Sequence, residues 1–117
     1  MNIVILDHAY KRKRQLCEVL ELRRHNVIGC KGSGEFLNAL DENSIDRILI
    51  DWSTWREGAA IYTYFSIENK LKMIPILFYN TPEGFYAISG RQSHEKDRVL
   101  AHPAKTDDII STAEQFA

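Results

Sequence analysis

The chain has 117 residues, 44% of them hydrophobic, and its 15 basic and 16 acidic residues give a net charge of −1. This length supplies one hydrophobic core and is short for two ordinary domains, so we expect a single domain over residues 1–117. The near-neutral charge argues against a protein that binds nucleic acid through its overall charge.

Three features of the sequence predict a cytoplasmic protein. The two cysteines, Cys17 and Cys30, form neither a CxxC motif nor a framework of pairs, which fits a reducing compartment. The N-terminus has no basic region and only four apolar residues before Asp7, unlike a signal peptide. No apolar stretch approaches the length of a membrane span, so no membrane contact is expected.

Apolar runs and stretches with helical spacing alternate along the chain. The apolar, β-branched runs that predict strands lie at 3–6, 27–30, 47–51, 74–79 and 99–101. The stretches that predict helices run from about 9 to 24, from Ser33 to Leu40, from about 58 to 71, and onward from Thr106, the expected N-cap of the last helix. The segment between the last two strands contains Pro82, Gly84 and Gly90 and predicts a broken helix.

This alternation predicts an α/β fold with a five-stranded parallel sheet, because parallel neighbours need crossover connections and those place helices on both faces. In an open sheet of this kind the loops at the carboxyl ends of the strands form the binding crevice. Asp7, Asp51, Asn80 and His102 lie at or just beyond such ends. We therefore expect these four polar groups to converge.

In their order, these segments resemble the receiver domains of bacterial response regulators over essentially the whole chain. The matching stretches are NIVILDH, GSGEFL, RILIDWS, IPILFYNT and VLAHPAK. The spacing also agrees, with 44 residues from Asp7 to Asp51, 29 from Asp51 to Asn80 and 22 from Asn80 to His102. The resemblance implies a doubly wound, flavodoxin-like sheet of order 2-1-3-4-5 and a role in two-component signalling.

The resemblance also implies a role for each polar residue. Asp51 occupies the phosphoacceptor position, and Asp7 and Asp51 occupy positions that bind Mg²⁺ in receivers. His8 replaces the second acid, Asn80 the Ser/Thr and His102 the lysine. Because Mg²⁺ prefers oxygen ligands, and because a histidine is only partly charged at pH 7, these changes predict weak Mg²⁺ binding or no cofactor.

Three functions are compatible with these residues. The first is an atypical receiver, not an enzyme, that acts by binding another signalling protein and keeps Asp51 as a structural or pH-sensitive acid paired with His102. The alternative is a working receiver, phosphorylated on Asp51 by a histidine kinase. A remote third is a small zinc or nickel site made of Asp7, His8, Asp51 and His102.

Two further features bear on the partner, which the resemblance implies to be a histidine kinase or an output domain. Four cations at 11–14 lie in the first turns of the first helix, where the helix dipole disfavours positive charge. They form either a solvated helix face or a dock for an acidic partner or nucleic acid. Phe85 and Tyr86 lie on the face that receivers commonly offer to partners, so they are candidates for partner binding.

Overall fold

The computed structural model describes residues 1–42, 44–58, 74–83 and 97–115. Strands β1 to β5 span Asn2–Leu6, Asn26–Cys30, Arg47–Asp51, Ile76–Thr81 and Arg98–Ala101. Helices α1 to α4 span Tyr10–Leu22, Ser33–Glu42, Trp52–Glu57 and Thr106–Glu114. None of these helices combines the length and the apolar character that crossing a membrane requires.

All five strands lie parallel in one sheet of order β2-β1-β3-β4-β5. The predicted fold class and strand order are therefore confirmed. β1 lies between β2 and β3, and its side chains from Ile3 to Leu6 are at most 1% exposed. Burial on both faces explains why the run from Ile3 to Leu6 shows no polar alternation.

Side chains alternate between the two faces of each strand, and each face has its own apolar cluster. Val4, Leu6, Ile48 and Ile50 belong to the cluster that packs with α2 and α3. The opposite cluster, which packs with α1 and α4, is composed of Ile3, Ile5, Leu16, Leu20, Leu49, Leu77, Tyr79, Ile109, Ile110 and Ala113. The alternation thus fixes which side of the sheet each strand residue faces.

Both cysteines are free thiols that contribute to packing. Cys30 is fully buried in the α2 side of the core, and burial raises its pKa to about 12. Cys17 is half-buried on α1, and burial raises its pKa as well. Thiols in such surroundings stay protonated at neutral pH, which fits the expected role as small apolar side chains.

Two predicted helix boundaries differ from the structure. A helix was expected from about residue 58, but α3 begins at Trp52 because the Asp51 side chain accepts a hydrogen bond from the Thr54 N–H and caps it. The rest of that predicted helix lies in residues 59–73, outside the described residues. Thr106 was expected as an N-cap, yet it is the first residue of α4 and Lys105 precedes the helix without a side-chain cap.

Candidate functional site

Strand register places Asp7 and Asp51 side by side. Leu6 of β1 pairs with Ile50 of β3, so the two residues that follow them meet at the carboxyl edge of the sheet. Asp51 is also the partner of Tyr79 on β4. By alternation, all three side chains face the α1 side, since they follow Ile5, Leu49 and Leu77 by two residues. Asp7 and Asp51 are 0% and 1% exposed, respectively.

A guanidinium group lies between these two carboxylates. Arg12, in the first turn of α1, donates from Nε to Oδ2 of Asp7 at 2.6 Å and from Nη2 to Oδ1 of Asp7 at 2.8 Å. The same Nη2 lies 3.0 Å from Oδ1 of Asp51. The planar fork of arginine allows this bidentate contact with one carboxylate and a bridge to the other. We call Asp7, Arg12 and Asp51 the Arg12 cluster.

The second oxygen of Asp51 is held by the start of α3. Its Oδ2 accepts hydrogen bonds from the Ser53 hydroxyl at 2.8 Å, the Thr54 hydroxyl at 2.7 Å and the Thr54 N–H at 3.1 Å. The Thr54 hydroxyl in turn accepts a hydrogen bond from the backbone N–H of His8. Asp51 is therefore a helix cap and a member of the Arg12 cluster at once, and the Thr54 hydroxyl connects it to the loop after β1.

Asp7 is equally well satisfied. Besides Arg12, its Oδ1 accepts from the Ala9 N–H at 2.9 Å and its Oδ2 accepts from the Tyr79 hydroxyl at 2.6 Å. Tyr79 is fully buried, and its ring lies 5.7 Å from the Arg12 guanidinium carbon, within the range of a cation–π contact. Four donors thus converge on one buried carboxylate, which is how proteins accommodate a charge away from water.

The charges of the site stabilise one another. The hydrogen bonds to Asp7 raise the pKa of Arg12 well above its ordinary value, and the charges of Asp7 and Asp51 add to this against the opposing effect of burial. Burial raises the pKa of Tyr79, and the charge of Asp7 raises it further. Arg12 is consequently a permanent cation, and Tyr79 remains a neutral hydrogen-bond donor.

The residues present do not fit a bound Mg²⁺ ion. Mg²⁺ needs carboxylate oxygens with free lone pairs in a near-octahedral arrangement. Here each oxygen of Asp7 already accepts two hydrogen bonds, Oδ1 of Asp51 is in contact with Arg12, and Oδ2 of Asp51 accepts three hydrogen bonds. A divalent cation between these two carboxylates would also lie against the Arg12 guanidinium, where like charges repel.

The predicted transition-metal site is not assembled in the described parts of the chain. His8 is solvent-exposed and its Nδ1 lies 3.5 Å from Oε2 of Glu57. Among residues 1–42, 44–58, 74–83 and 97–115, no three His, Cys, Asp or Glu side chains come together as a metal-binding group. His8 therefore contacts α3 and not the acidic pair, which disfavours the zinc or nickel hypothesis.

Asn80 has a backbone role at this edge of the sheet. It lies at an irregularity where the register of β4 and β5 shifts between Tyr79 and Thr81, and its φ angle is 56°. Asparagine tolerates this left-handed conformation better than most residues. Its Oδ1 accepts a hydrogen bond from the Ala104 N–H at 2.8 Å, so the side chain anchors the loop after β5. The neighbouring Thr81 hydroxyl is buried and donates to the Leu100 carbonyl.

His102 lies at the same edge but outside the Arg12 cluster. Its backbone N–H donates to the Thr81 carbonyl, the peptide bond to Pro103 is cis, and the residue is exposed. Within the described ranges, its side chain has no hydrogen bond or ion pair with Asp51. The hypothesis of an Asp51–His102 pair is therefore not supported, because Asp51 is satisfied by Arg12 and by α3 instead.

Two residues of the site, Arg12 and Tyr79, were missed by the sequence reasoning. The four cations at 11–14 predict a solvated or docking face, whereas the Arg12 side chain points into the cluster and is 30% exposed. The signal was the unexplained positive charge in the first helical turn, five residues after Asp7. Tyr79 ends an apolar run, so its hydroxyl group was the only feature that could indicate a role in the site. The predicted partner residues Phe85 and Tyr86 lie outside the described residues.

No protein-family model and no curated protein matches the chain. The chain is, however, similar to several solved structures. A receiver domain from Methylobacillus flagellatus matches with a TM-score of 0.72 at 12% identity, covering 100% of this chain and 98% of that chain. A response regulator receiver modulated diguanylate cyclase from Pelobacter carbinolicus matches with a TM-score of 0.70 at 21% identity, covering 98% and 90%.

A response regulator from Burkholderia pseudomallei, whose structure contains a phosphorylated aspartic acid, a calcium ion and citrate, matches with a TM-score of 0.68 at 18% identity. That match covers 96% of this chain and 65% of the Burkholderia chain, so the present sequence spans about two thirds of its length. The strand order, the register at Asp7 and Asp51 and these similarities together show that the chain has the fold of response regulator receiver domains.

Proposed function

We propose that this chain is a receiver-type signalling domain that acts by binding another signalling protein, with little or no Mg²⁺-dependent phosphorylation of Asp51. The partner in this proposal is a histidine kinase or an output domain, and the domain itself is not an enzyme. The observation that carries the proposal is the Arg12 cluster, in which a fixed cation lies between the two carboxylates that would otherwise share a metal ion.

Phosphoryl transfer to an aspartate makes two demands on the site. The carboxylate needs an oxygen free to attack the donor, and the transferred oxygens need nearby positive charge. Asp51 is 1% exposed, with Oδ2 accepting three hydrogen bonds and Oδ1 against Arg12. An attack through Oδ2 would require breaking the contacts that cap α3, and an attack through Oδ1 would require displacing the Arg12 guanidinium. Both requirements support slow or absent phosphorylation.

The helper positions of the receiver pattern support the same proposal. Asn80 uses its side-chain oxygen to hold the Ala104 N–H, and the exposed His102 stands where receivers have a lysine. Asn80 carries no charge, and in the described residues the His102 side chain has no ion pair with Asp51. A domain with this arrangement keeps the receiver shape for recognition by a partner while losing the groups that drive the chemistry.

The alternative is a receiver phosphorylated on Asp51 by a histidine kinase, and one observation favours it. Nη2 of Arg12 is 3.0 Å from Oδ1 of Asp51, so one strong cation is already beside the acceptor. If Arg12 moved with the transferred group, it could neutralise phosphoryl oxygens as lysine does in receivers. This alternative predicts phosphorylation that does not depend on a metal ion.

Intact-mass spectrometry tests the proposal. The protein is incubated with acetyl phosphate and Mg²⁺, and in parallel with acetyl phosphate and EDTA, beside a receiver of known phosphorylation as the positive control. We expect no phosphoryl adduct on the wild-type chain in either condition. An adduct that disappears in the Asp51→Asn variant would contradict the proposal, and its presence in EDTA would favour the alternative.

A further inference from the structure

We infer that Arg12 takes the place of the divalent cation in this fold and is the residue that keeps such an ion out. On this inference Asp7 and Asp51 form a site for Mg²⁺ as soon as the Arg12 side chain is removed. The inference rests on the proposed function, because it explains how a receiver-type site can be stable without a metal ion. It goes beyond that proposal by assigning the exclusion to one side chain.

The geometry of the Arg12 cluster carries the inference. Two carboxylates from neighbouring strands lie together in a buried position, where each would be costly without a counter-charge. One guanidinium contacts Asp7 at 2.6 Å and 2.8 Å and Asp51 at 3.0 Å. It bridges carboxylates from separate strands, as a shared divalent cation would.

The position of Arg12 on its helix argues that this contact is not incidental. Positive charge near the N-terminus of a helix is disfavoured by the helix dipole. Arg14, two residues later, points outward and pairs with Glu18 at 2.8 Å, with both side chains at least 60% exposed. Arg12 turns the other way, toward a site of two negative charges, so charge balance at the carboxyl edge of the sheet is its evident role.

Replacing an ion with a side chain changes how the site responds to its surroundings. A bound ion is lost when its concentration falls, whereas the Arg12 guanidinium is covalently part of α1 and its pKa is raised by Asp7. The bridge between β1 and β3 is thus permanent, and it ties the first turn of α1 to both strands. The wild-type domain should therefore have the same stability with and without Mg²⁺.

The test measures Mg²⁺ binding without any phosphodonor. Arg12→Ala and Arg12→Gln are compared with the wild type and with Arg14→Ala, the matched control that removes an arginine from the same helix. Thermal melting is followed during titration with MgCl₂, with NaCl at equal ionic strength to separate ion binding from screening. Tryptophan fluorescence gives a second reading at constant temperature, because both tryptophans of the chain, Trp52 and Trp55, lie in the helix that follows Asp51.

For both Arg12 variants we expect a saturable rise in melting temperature, about 5 °C when Mg²⁺ is at ten times its dissociation constant. The wild type and Arg14→Ala should show no rise beyond that seen with NaCl. In Arg12→Ala/Asp51→Asn, which lacks one of the two carboxylates, the response to Mg²⁺ should be lost. If Arg12→Ala is unfolded in EDTA, it should fold when Mg²⁺ is added.

Two results would overturn the inference. One is a saturable rise in the melting temperature of the wild type with Mg²⁺. The other is the lack of such a rise in both Arg12 variants, including the case in which Arg12→Ala stays unfolded at every Mg²⁺ concentration. Failure of the proposed function looks different. Phosphorylation of the wild type in EDTA would contradict the proposed function and leave the inferred role of Arg12 intact. Arg12 variants that do not respond to Mg²⁺ would contradict the role of Arg12 and leave the proposed function intact.

Discussion

The carboxyl edge of the sheet has two regions that satisfy their polar groups in different ways. At the ends of β1 and β3, Asp7 and Asp51 are buried and surrounded by donors, with Arg12 between them. At the ends of β4 and β5, Asn80 is half-buried and anchors a loop, and His102 is exposed. Stability and charge balance depend on the first region, whereas the second region mainly shapes a connection.

This difference indicates where the domain departs from the receiver pattern. The resemblance implied a cation supplied after β5 and a metal ion supplied by solvent. In the structure the cation beside Asp7 and Asp51 comes from α1. Arg12 thus supplies positive charge to the acidic pair, while His102 is exposed in the loop after β5.

The largest effect is expected from removing the cation. In EDTA, Arg12→Ala should lower the free energy of unfolding by about 3–5 kcal/mol, because it leaves two buried carboxylates side by side without a counter-charge. Arg12→Lys should fall between this variant and the wild type, since an ammonium cannot make the bidentate contact with Asp7. Urea unfolding followed by circular dichroism measures these differences.

The control for this prediction is Arg14→Ala, which removes an exposed arginine of α1 paired only with Glu18. Exposed ion pairs of this kind contribute little to stability, so its unfolding midpoint should stay close to that of the wild type. Equal losses in the two variants would mean that the cost comes from the helix and not from the Arg12 cluster, and the comparison between the two regions would fail.

An intermediate effect is expected at Asn80, where conformation and hydrogen bonding can be separated. Asn80→Ala should cost about 1–2 kcal/mol through the positive φ angle, in addition to the lost acceptor for the Ala104 N–H. Asn80→Gly relieves the conformational cost but still lacks the acceptor. Asn80→Asp keeps an acceptor and tolerates the conformation, so the expected order of stability is Asp, then Gly, then Ala.

Urea unfolding of the three Asn80 variants checks this order. Asn80→Ala as stable as Asn80→Asp would show that neither the φ angle nor the contact with Ala104 matters in solution. The loop after β5 would then be held in place by other contacts, and the Asn80 side chain would be available for a role in the candidate site.

Much of the fold was predictable because it follows from short-range patterns. Buried parallel strands give continuous apolar runs such as 3–6, and their alternation with helices limits the topology to few choices. The placement of Asp7 and Asp51 at one edge followed from strand direction. The start of α3 at Trp52 did not, since the Asp51 carboxylate could be assigned to a cap or to a site, and it is both.

The contacts of the site were harder to predict because they depend on side-chain direction. Arg12 and Arg14 have the same residue type and lie on the same helix, yet one is part of a buried cluster and the other faces solvent. Only the packing of α1 on the sheet decides between them. His102 presents the opposite case, because its position suggested a partner for Asp51 and its side chain is exposed.

The smallest effect is therefore expected from His102→Ala. Its contact with the rest of the fold in the described residues is the backbone hydrogen bond from its N–H to the Thr81 carbonyl, which the substitution keeps. Stability should be unchanged within experimental error, and amide NMR signals of Trp52 and Thr54, beside Asp51, should not move. Displaced signals at these two residues would place the imidazole near Asp51 in solution. The acidic pair would then have a second partner besides Arg12, and the two regions at the carboxyl edge of the sheet would no longer be separate.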